Sequence, residues 1–582
     1  MTTLSNIQLR AIQLFEQNLF LQNDRQHLPT REARLVLHDQ FVFFIKHIHF
    51  NFNYKSKSYQ EALDLYNILH ILDIELVVKM GVHFNLWGES VYRLGTEKHY
   101  LEYCDKTTNM EILGCFAMTE IGHGSNIAKL ETTATYTAET REFVIHSPTP
   151  SSHKFWIGHS AVFAHYTIVF AQLYIDSINY GVHPFIVQLR IVDTGFVMDN
   201  ITIRDCGQKS GLNSIDNGEI SFNHVRIPYD NLLDKFAQIS NDGVYSSVRG
   251  RLSKMFNELS KNRFGLGTGC NVISRYYLKR TLEYSLCRTQ FGPSSTEIPI
   301  LTYPTHHERL FPLLAKAILL LNYTDAQRAF IEDRTQCHKS SMISKTVGTS
   351  NCLEVLQVSR ECCGGHGFHF NSGFGKMYRH VDIYTTFEGD NTVLLQQLFQ
   401  IYLKQAKHIS YRGVFNYECS KYYNTCFGEL YDPMSNGVLD VQIFCKNLDY
   451  IINYKVLHIL FLLNNAGARD SNPFNTWTKH LNEIIRISKL ICVYTILSDT
   501  IHKDVRMDTP LLELFIWKHV QSNLDIYSQM IAPAHTSSIP KYIERIYQLI
   551  YTNIEFYIHR LRAPTIHFLE ERSHLHRIAA KI

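Results

Sequence analysis

The sequence predicts a mostly α-helical protein with one β domain set between helical blocks. Three observations lead there. Apolar residues recur at helical spacing up to about residue 112, as in Phe41-Val42-Phe43-Phe44 and in Leu63, Tyr66, Ile68 and Leu69. The texture then changes to alternating and β-branched runs bounded by turn residues. Helical spacing returns at about residue 233 and continues to the end of the sequence.

Each block has its own warrant. In 113–232, Thr132 to Thr137 is Thr-rich and alternating, while Thr167 to Leu173 and Pro184 to Leu189 are apolar, β-branched runs of strand length. In 233–410, long amphipathic segments lie around 250–287 and 305–331. Residues 411–582 are rich in Tyr, Ile and Leu and read as helical, with 411–440 as the linker because Arg412-Gly413 and Pro433-Met434-Ser435-Asn436-Gly437 fall there. The expected domains are therefore 1–112, 113–232, 233–410 and 411–582. No internal repeat or low-complexity segment stands out.

Composition narrows the function. With 582 residues, 45% apolar and 19% charged, the chain can bury several cores. A net charge of +3 with no long Lys/Arg run argues against a nucleic-acid surface. The 30 histidines are scattered without zinc-site spacing, so no metal centre is expected. The 13 cysteines form no Cys-x-x-Cys pair and read as reduced thiols of an intracellular compartment. The opening MTTLSNIQLR lacks the apolar core of a secretory signal. No apolar stretch reaches about 18 residues, so no transmembrane segment is expected.

The most informative stretch is Tyr384-Thr385-Thr386-Phe387-Glu388-Gly389-Asp390-Asn391-Thr392, which opens the apolar run Val393 to Leu403. Glu388 is expected on a turn at a helix mouth with an aromatic wall beside it. A carboxylate held against apolar surface loses solvation, its pKa rises, and it becomes a general base near neutral pH. The alternative is an acid that stabilises a helix N-terminus. Gly364-Gly365-His366-Gly367 offers bare backbone to a flat ligand or a pyrophosphate. Thr119-Glu120-Ile121-Gly122-His123-Gly124 is a second polar, glycine-bearing loop. Lys154-Phe155-Trp156-Ile157-Gly158 sets an indole near a glycine, suited to stacking on a planar cofactor or to a buried core. Arg288-Thr289-Gln290-Phe291-Gly292 brings a cation to a helix end, where it suits a phosphate or the helix dipole. Gly265-x-Gly267-x-Gly269 lacks a preceding strand and reads as close helix packing rather than as a dinucleotide fingerprint.

Taken together, GCFAMTEIGHGSNIAKLETTATY, HKFWIGHSA, GLNSIDNGEISFNHVRIP, CRTQFGP, ECCGGHGFHFNSGFGKMYRH and TTFEGDNTVLLQQ resemble the acyl-CoA oxidase branch of the acyl-CoA dehydrogenase superfamily, some details being closest to acyl-CoA oxidase-like proteins. The resemblance extends over essentially the whole chain. It implies a mostly α fold with an N-terminal helical domain, a central β-barrel domain and two helical bundles in the C-terminal half. It implies FAD as cofactor, with Thr119 at the flavin ring, Trp156 and Gly158 alongside, Arg288 and Gln290 reaching the phosphates from the partner subunit of a homodimer, and Gly364 and Gly365 at the adenosine side. Asp390 and Thr392 occupy further FAD-binding positions, and Glu388 matches the catalytic base. The implied reaction oxidises an acyl-CoA substrate to the trans-2-enoyl-CoA with O2 reduced to hydrogen peroxide, the first step of peroxisomal fatty-acid β-oxidation. A non-catalytic acyl-CoA-binding relative and a dehydrogenase using an electron-transfer partner are the alternatives.

Three positions depart from the family pattern. Trp156 is followed by Ile157-Gly158-His159 where Pro-Gly-Gly is usual, and Met118 stands where Gln is usual. The chain is also somewhat shorter than typical oxidases, mainly after about residue 411. The terminal Ala580-Lys581-Ile582 resembles a small-basic-aliphatic peroxisomal signal. The expected location is therefore the peroxisome, with the cytoplasm as the alternative.

Overall fold

The computed structural model describes residues 4–410 except 57, 241, 259 and 331–333, and 439–575 except 469–471, 502–508, 528–530, 532 and 574. The expected linker at 411–440 lies almost wholly outside the described residues, as does Ala580-Lys581-Ile582. The chain forms two compact units, residues 4–265 and residues 266–582.

The first unit begins with helices α1 (Asn6–Gln17), α2 (Thr30–His47), α3 (Tyr59–Leu72) and α4 (Ile74–Met80). Local chemistry sets their ends. The Ser5 hydroxyl and the Gln8 side chain form a capping box at α1. Asp73 stops α3 and starts α4, its carboxylate accepting from the Glu75 and Leu76 N–H groups. Buried Arg25 then fastens Asp73 at 2.7 Å and Glu75 at 3.1 Å. α4 continues into a π-helical stretch, Gly81–Gly88, whose Phe84 and Trp87 are buried.

The β domain follows with β1 (Gly114–Ala117), β2 (Thr133–Thr137), β3 (Glu142–His146), β4 (Lys154–Gly158), β5 (Tyr166–Ile175), β6 (Ile178–Gln188), β7 (Ile201–Asp205), β8 (Asn217–Phe222) and β9 (Val225–Pro228). One sheet runs β1-β5-β2-β3-β9 with β6 on β5, and a second runs β4-β8-β7. The expected central barrel is present as this curled half-barrel. Its core is built from Phe143, Val169, Phe185, Ile220 and Phe222 among others. Eight of the ten positions of β5 are buried, which explains its continuous apolar run. β8 alternates half-buried and buried positions, so its sequence alternates.

The second unit is helical. Its principal helices are α5 (Lys261–Cys287, which opens at the end of the first unit), α6 (Pro304–Gln327), α7 (Arg334–Cys362), α8 (Asn391–Ser410), α9 (Val441–Ala468), α10 (Leu481–Ile501), α11 (Thr509–Gln521) and α12 (Pro533–Thr552). One continuous apolar core runs from Leu278 in α5 to Ala563 beyond α12. Gly267 settles the glycine repeat in favour of close packing. A Cβ there would lie 2.4 Å from backbone atoms of Ser344, and one at Gly348 would lie 2.7 Å from the Gly267 carbonyl oxygen, so α5 and α7 touch backbone to backbone. No helix among the described residues is long and apolar enough to cross a membrane.

Candidate active site

The residues singled out from sequence fall in both units, and each set has its own architecture. In the first unit, Thr119 and Trp156 are joined through Phe155. The Thr119 hydroxyl donates to the Phe155 carbonyl oxygen at 2.6 Å, and the Phe155 N–H donates to the Thr119 carbonyl oxygen at 2.9 Å. The hydroxyl's proton is thereby committed, and its lone pairs remain for a donor on a ligand. A bulge follows in β4: Lys154 faces Ile220 and Ile157 faces Gly218, so Phe155 and Trp156 together oppose one residue of β8. Trp156 occupies the left-handed region at φ 65°. It is 56% exposed. It is therefore no core tryptophan; the bulge turns a large apolar ring outward, at a conformational cost on the order of 1–3 kcal/mol. The Asn217 amide donates to its carbonyl at 2.9 Å and holds the turn.

Beneath this strand lies a buried ion pair that sequence reading missed. Lys154 Nζ meets Glu120 Oε1 at 2.9 Å, and neither side chain reaches solvent. Lys154 also donates to the Met118 and Phe170 carbonyls, and Glu120 accepts from the N–H groups of Glu131 and Thr132 and from the Thr132 hydroxyl. All three ammonium donors are used, and both carboxylate oxygens accept hydrogen bonds, the condition for a buried pair to be tolerated. Burial still brings the Lys154 ammonium down to about 8, with the Glu120 charge opposing the shift. The pair fastens the Thr119 loop to the root of the Trp156 bulge.

Gly158 answers a steric need. A Cβ there would sit 3.2 Å from Val82 in the π-helical stretch. His159, the departure from the family pattern, is fully buried with φ 67°. Neither ring nitrogen has a hydrogen-bond partner among the described residues. Burial, helped by Lys79, His83 and His38, holds its pKa far below the usual histidine range, so it is neutral.

In the second unit, Arg288 follows the last turn of α5, and its N–H donates to the Tyr284 carbonyl oxygen at 2.8 Å. Its guanidinium has no ion-pair partner among the described residues. Gln290 lies in a short ladder in which Thr289 faces Pro299 and Gln290 faces Ile298; its amide donates to the Thr289 carbonyl oxygen. The Tyr284 hydroxyl lies 2.9 Å from His366 Nδ1. This contact sets the Arg288 end of α5 beside the glycine cluster. Gly364 adopts φ 58°, and neither it nor Gly365 has any atom within 4 Å of an added Cβ. Gly364 is thus required by its conformation, and both backbones are open to a ligand.

Glu388 sits on a turn, as expected. Its φ of 54° is left-handed, followed by Gly389 at 103°. The aromatic wall is Phe387 packed on fully buried Tyr384, ring centres 4.8 Å apart. Asp390, by contrast, does the ordinary work of an acid at a helix start. Its Oδ1 accepts from the Thr392 N–H at 2.8 Å and the Val393 N–H at 3.3 Å, capping α8. Thr392 is exposed on that first turn. The helix-capping alternative weighed for Glu388 therefore belongs to Asp390.

Comparisons with known proteins agree with this architecture. Residues 115–225 match the acyl-CoA dehydrogenase middle domain, and residues 259–403 match the acyl-CoA oxidase C-alpha1 domain. Peroxisomal acyl-coenzyme A oxidase 2 of Arabidopsis thaliana is 39% identical over 376 residues, which cover 61% of this chain and 54% of that protein. The chain thus matches about half the length of its curated relatives. The crystal structure of acyl-CoA oxidase 3 from Yarrowia lipolytica superposes with a TM-score of 0.86 at 25% identity, covering 98% of this chain and 88% of that one. Acyl-CoA oxidase-2 of Caenorhabditis elegans, solved with FAD, ascaroside-CoA and ATP, shares the fold with a TM-score of 0.84 at 22% identity, covering 98% and 88% of the two chains. The chain thus carries a β domain similar to that of acyl-CoA dehydrogenases, followed by a helical domain similar to the C-alpha1 domain of acyl-CoA oxidases.

Proposed function

We propose that the protein is an FAD-dependent acyl-CoA oxidase that converts an acyl-CoA to its trans-2-enoyl-CoA and reduces O2 to hydrogen peroxide, as the first step of fatty-acid β-oxidation. The observation that carries this reading is Glu388, held in left-handed backbone on the turn that follows the packed rings of Tyr384 and Phe387, a strained arrangement of the kind found where geometry serves chemistry.

The residues present fit FAD. Gly364 and Gly365 leave open the space that side chains would fill, and Arg288 offers an uncommitted guanidinium suited to a phosphate. Trp156 is displayed at a bulge with its ring outward, suited to lying along a flavin, and Thr119 keeps acceptor capacity. When bound, FAD supplies the acceptor for the β-hydrogen with its electron pair and the route for those electrons to O2. The protein's own part is alignment and proton removal. Glu388 takes the α-proton, a general-base step worth typically about 10² to 10⁴-fold.

The relative from Arabidopsis is named peroxisomal, which supports the same compartment for this protein. A homodimer in which Arg288 and Gln290 serve the partner's cofactor is the assembly that goes with this reading. The purified protein should absorb in the blue. Acyl-CoA without air should bleach that absorbance, and air should restore it with peroxide formed in step with enoyl-CoA. Turnover only with an external electron acceptor would make the protein a dehydrogenase. No flavin and no turnover across a series of chain lengths would make it a binding protein.

A further inference from the structure

The turn that carries Glu388 is clasped from α7 by one side chain. Lys345 is fully buried, and its Nζ donates to the Thr385 carbonyl oxygen at 3.1 Å and to the Gly389 carbonyl oxygen at 2.5 Å. Those two carbonyls bracket Glu388. In a right-handed helix the carbonyl of Thr385 would accept the N–H of Gly389. The left-handed values at Glu388 and Gly389 turn the chain out of that path. Buried carbonyls need donors, and the ammonium supplies them. Hydrogen bonds from a charged donor are among the stronger ones, and the two made by Lys345 close the turn at both ends.

A second anchor comes from the same helix. The Asn391 amide donates to Thr349 Oγ1 at 2.9 Å and Ser350 Oγ at 3.3 Å. Below the turn, Tyr384 is completely buried. The Glu388 turn is therefore tied to α7 on both sides, through Lys345 and through Asn391.

We propose that Lys345 is a positioning residue: through the Thr385 and Gly389 carbonyls it fixes the backbone that presents Glu388 to the α-carbon of the acyl thioester. It sets the rate of proton removal without reaching solvent or substrate. This rests on reading Glu388 as the base.

The test uses full-length protein loaded with FAD. Lys345→Met keeps the stem and removes all donors, whereas Lys345→Gln keeps an amide that can serve one carbonyl. A misplacement of about 1 Å in a reacting group costs on the order of 10²-fold. Flavin-normalised kcat should fall by about that factor in Lys345→Met and by less in Lys345→Gln. KM for acyl-CoA and flavin content should stay close to the parent's, while melting temperature should fall because two buried carbonyls lose their donor. The kinetic isotope effect with α-deuterated acyl-CoA should rise, because proton removal becomes slower relative to other steps. A purely structural lysine would instead lower flavin retention and kcat together, with no change in isotope effect. Either folded variant with parental kcat, or that joint loss, overturns the proposal. If Lys345→Met does not fold, Lys345→Gln decides alone. Glu388→Gln measured in parallel separates the two readings. If it still bleaches with acyl-CoA, the base is elsewhere. If it is inactive while the Lys345 variants are normal, only the positioning role fails.

Discussion

Glu388 illustrates how much a single position can ask of its surroundings. A non-glycine residue in the left-handed region costs on the order of 1–3 kcal/mol, and that cost is met here by donors from Lys345 and by the glycine at 389. Replacement with Gln preserves shape but cannot take a proton. Glu388→Gln is therefore expected to retain FAD and lose anaerobic flavin reduction by acyl-CoA by about 10² to 10⁴-fold or more; near-normal reduction would assign the base elsewhere. Arg288→Ala tests the other end of the set. Its guanidinium lacks an ion-pair partner among the described residues, so its removal should cost cofactor affinity rather than fold. Flavin should be lost on dilution and gel filtration while acyl-CoA affinity changes less, and the dimer should loosen if Arg288 serves the partner's cofactor. Full flavin occupancy through both steps would remove Arg288 from the site.

At the scale of elements, the glycines of α5 separate packing from permissiveness. Gly267 meets the backbone of Ser344 at 2.4 Å from a built Cβ, whereas Gly265 has nothing within 4 Å. Gly267→Ala must push α5 from α7 and should destabilise by about 1–3 kcal/mol or more. Gly265→Ala should stabilise by roughly 0.5–1 kcal/mol, because alanine loses less freedom in a helix. Thermal melting of the two variants should move in opposite directions; a common shift would mean that α5 and α7 do not meet at Gly267. The same comparison shows what was legible in the sequence. Helix and strand blocks, and the close-packing reading of the glycine repeat, follow from periodicity and from the absence of a preceding strand. The Glu388 turn was legible because glycine and a capping acid flank it. Lys345 was not, since a lysine inside Ser-Lys-Thr-Val carries no local sign that its ammonium is buried against carbonyls 40 and 44 residues on. Lys154 and Glu120 are likewise brought together by an isolated bridge between β4 and the Thr119 loop, which no local pattern signals. The left-handed bulge at Trp156 depends on the pairing of β4 with β8, which no local pattern encodes.

At the scale of the molecule, buried histidines divide the two units in their response to acid. In the first unit, burial holds His38 and His183 down to about 3 and His70 and His83 down to about 4, and puts His159 far below its usual range. In the second, His519 is brought to about 4 by the same cause, and His306 and His307 are also lowered by it. The sign follows from proton counting. Between the folded values and the unfolded value of about 6.5, the unfolded chain binds protons that the folded chain refuses. Stability is therefore intact above pH about 6.5 and is lost as pH falls toward 4. Each such histidine contributes a slope of up to about 1.4 kcal/mol per pH unit. The carboxylates with lowered values, such as Asp205 and Asp230, add their loss only at lower pH, because their ordinary value is 3.8. Lysines act in a different window: buried Lys79 and Lys154 and half-buried Lys209, each brought to about 8 by desolvation, make stability rise again between pH about 8 and 10.5. Hydrogen exchange, corrected for intrinsic rates, should show amides of residues 4–265 losing protection between pH 6.5 and 4 before those of 266–582. Replacing His183 with a neutral residue of similar size, such as Gln, should move that loss to lower pH. Equal loss in both units, or a first loss only below pH 4, would show that these histidines accept protons inside the folded protein.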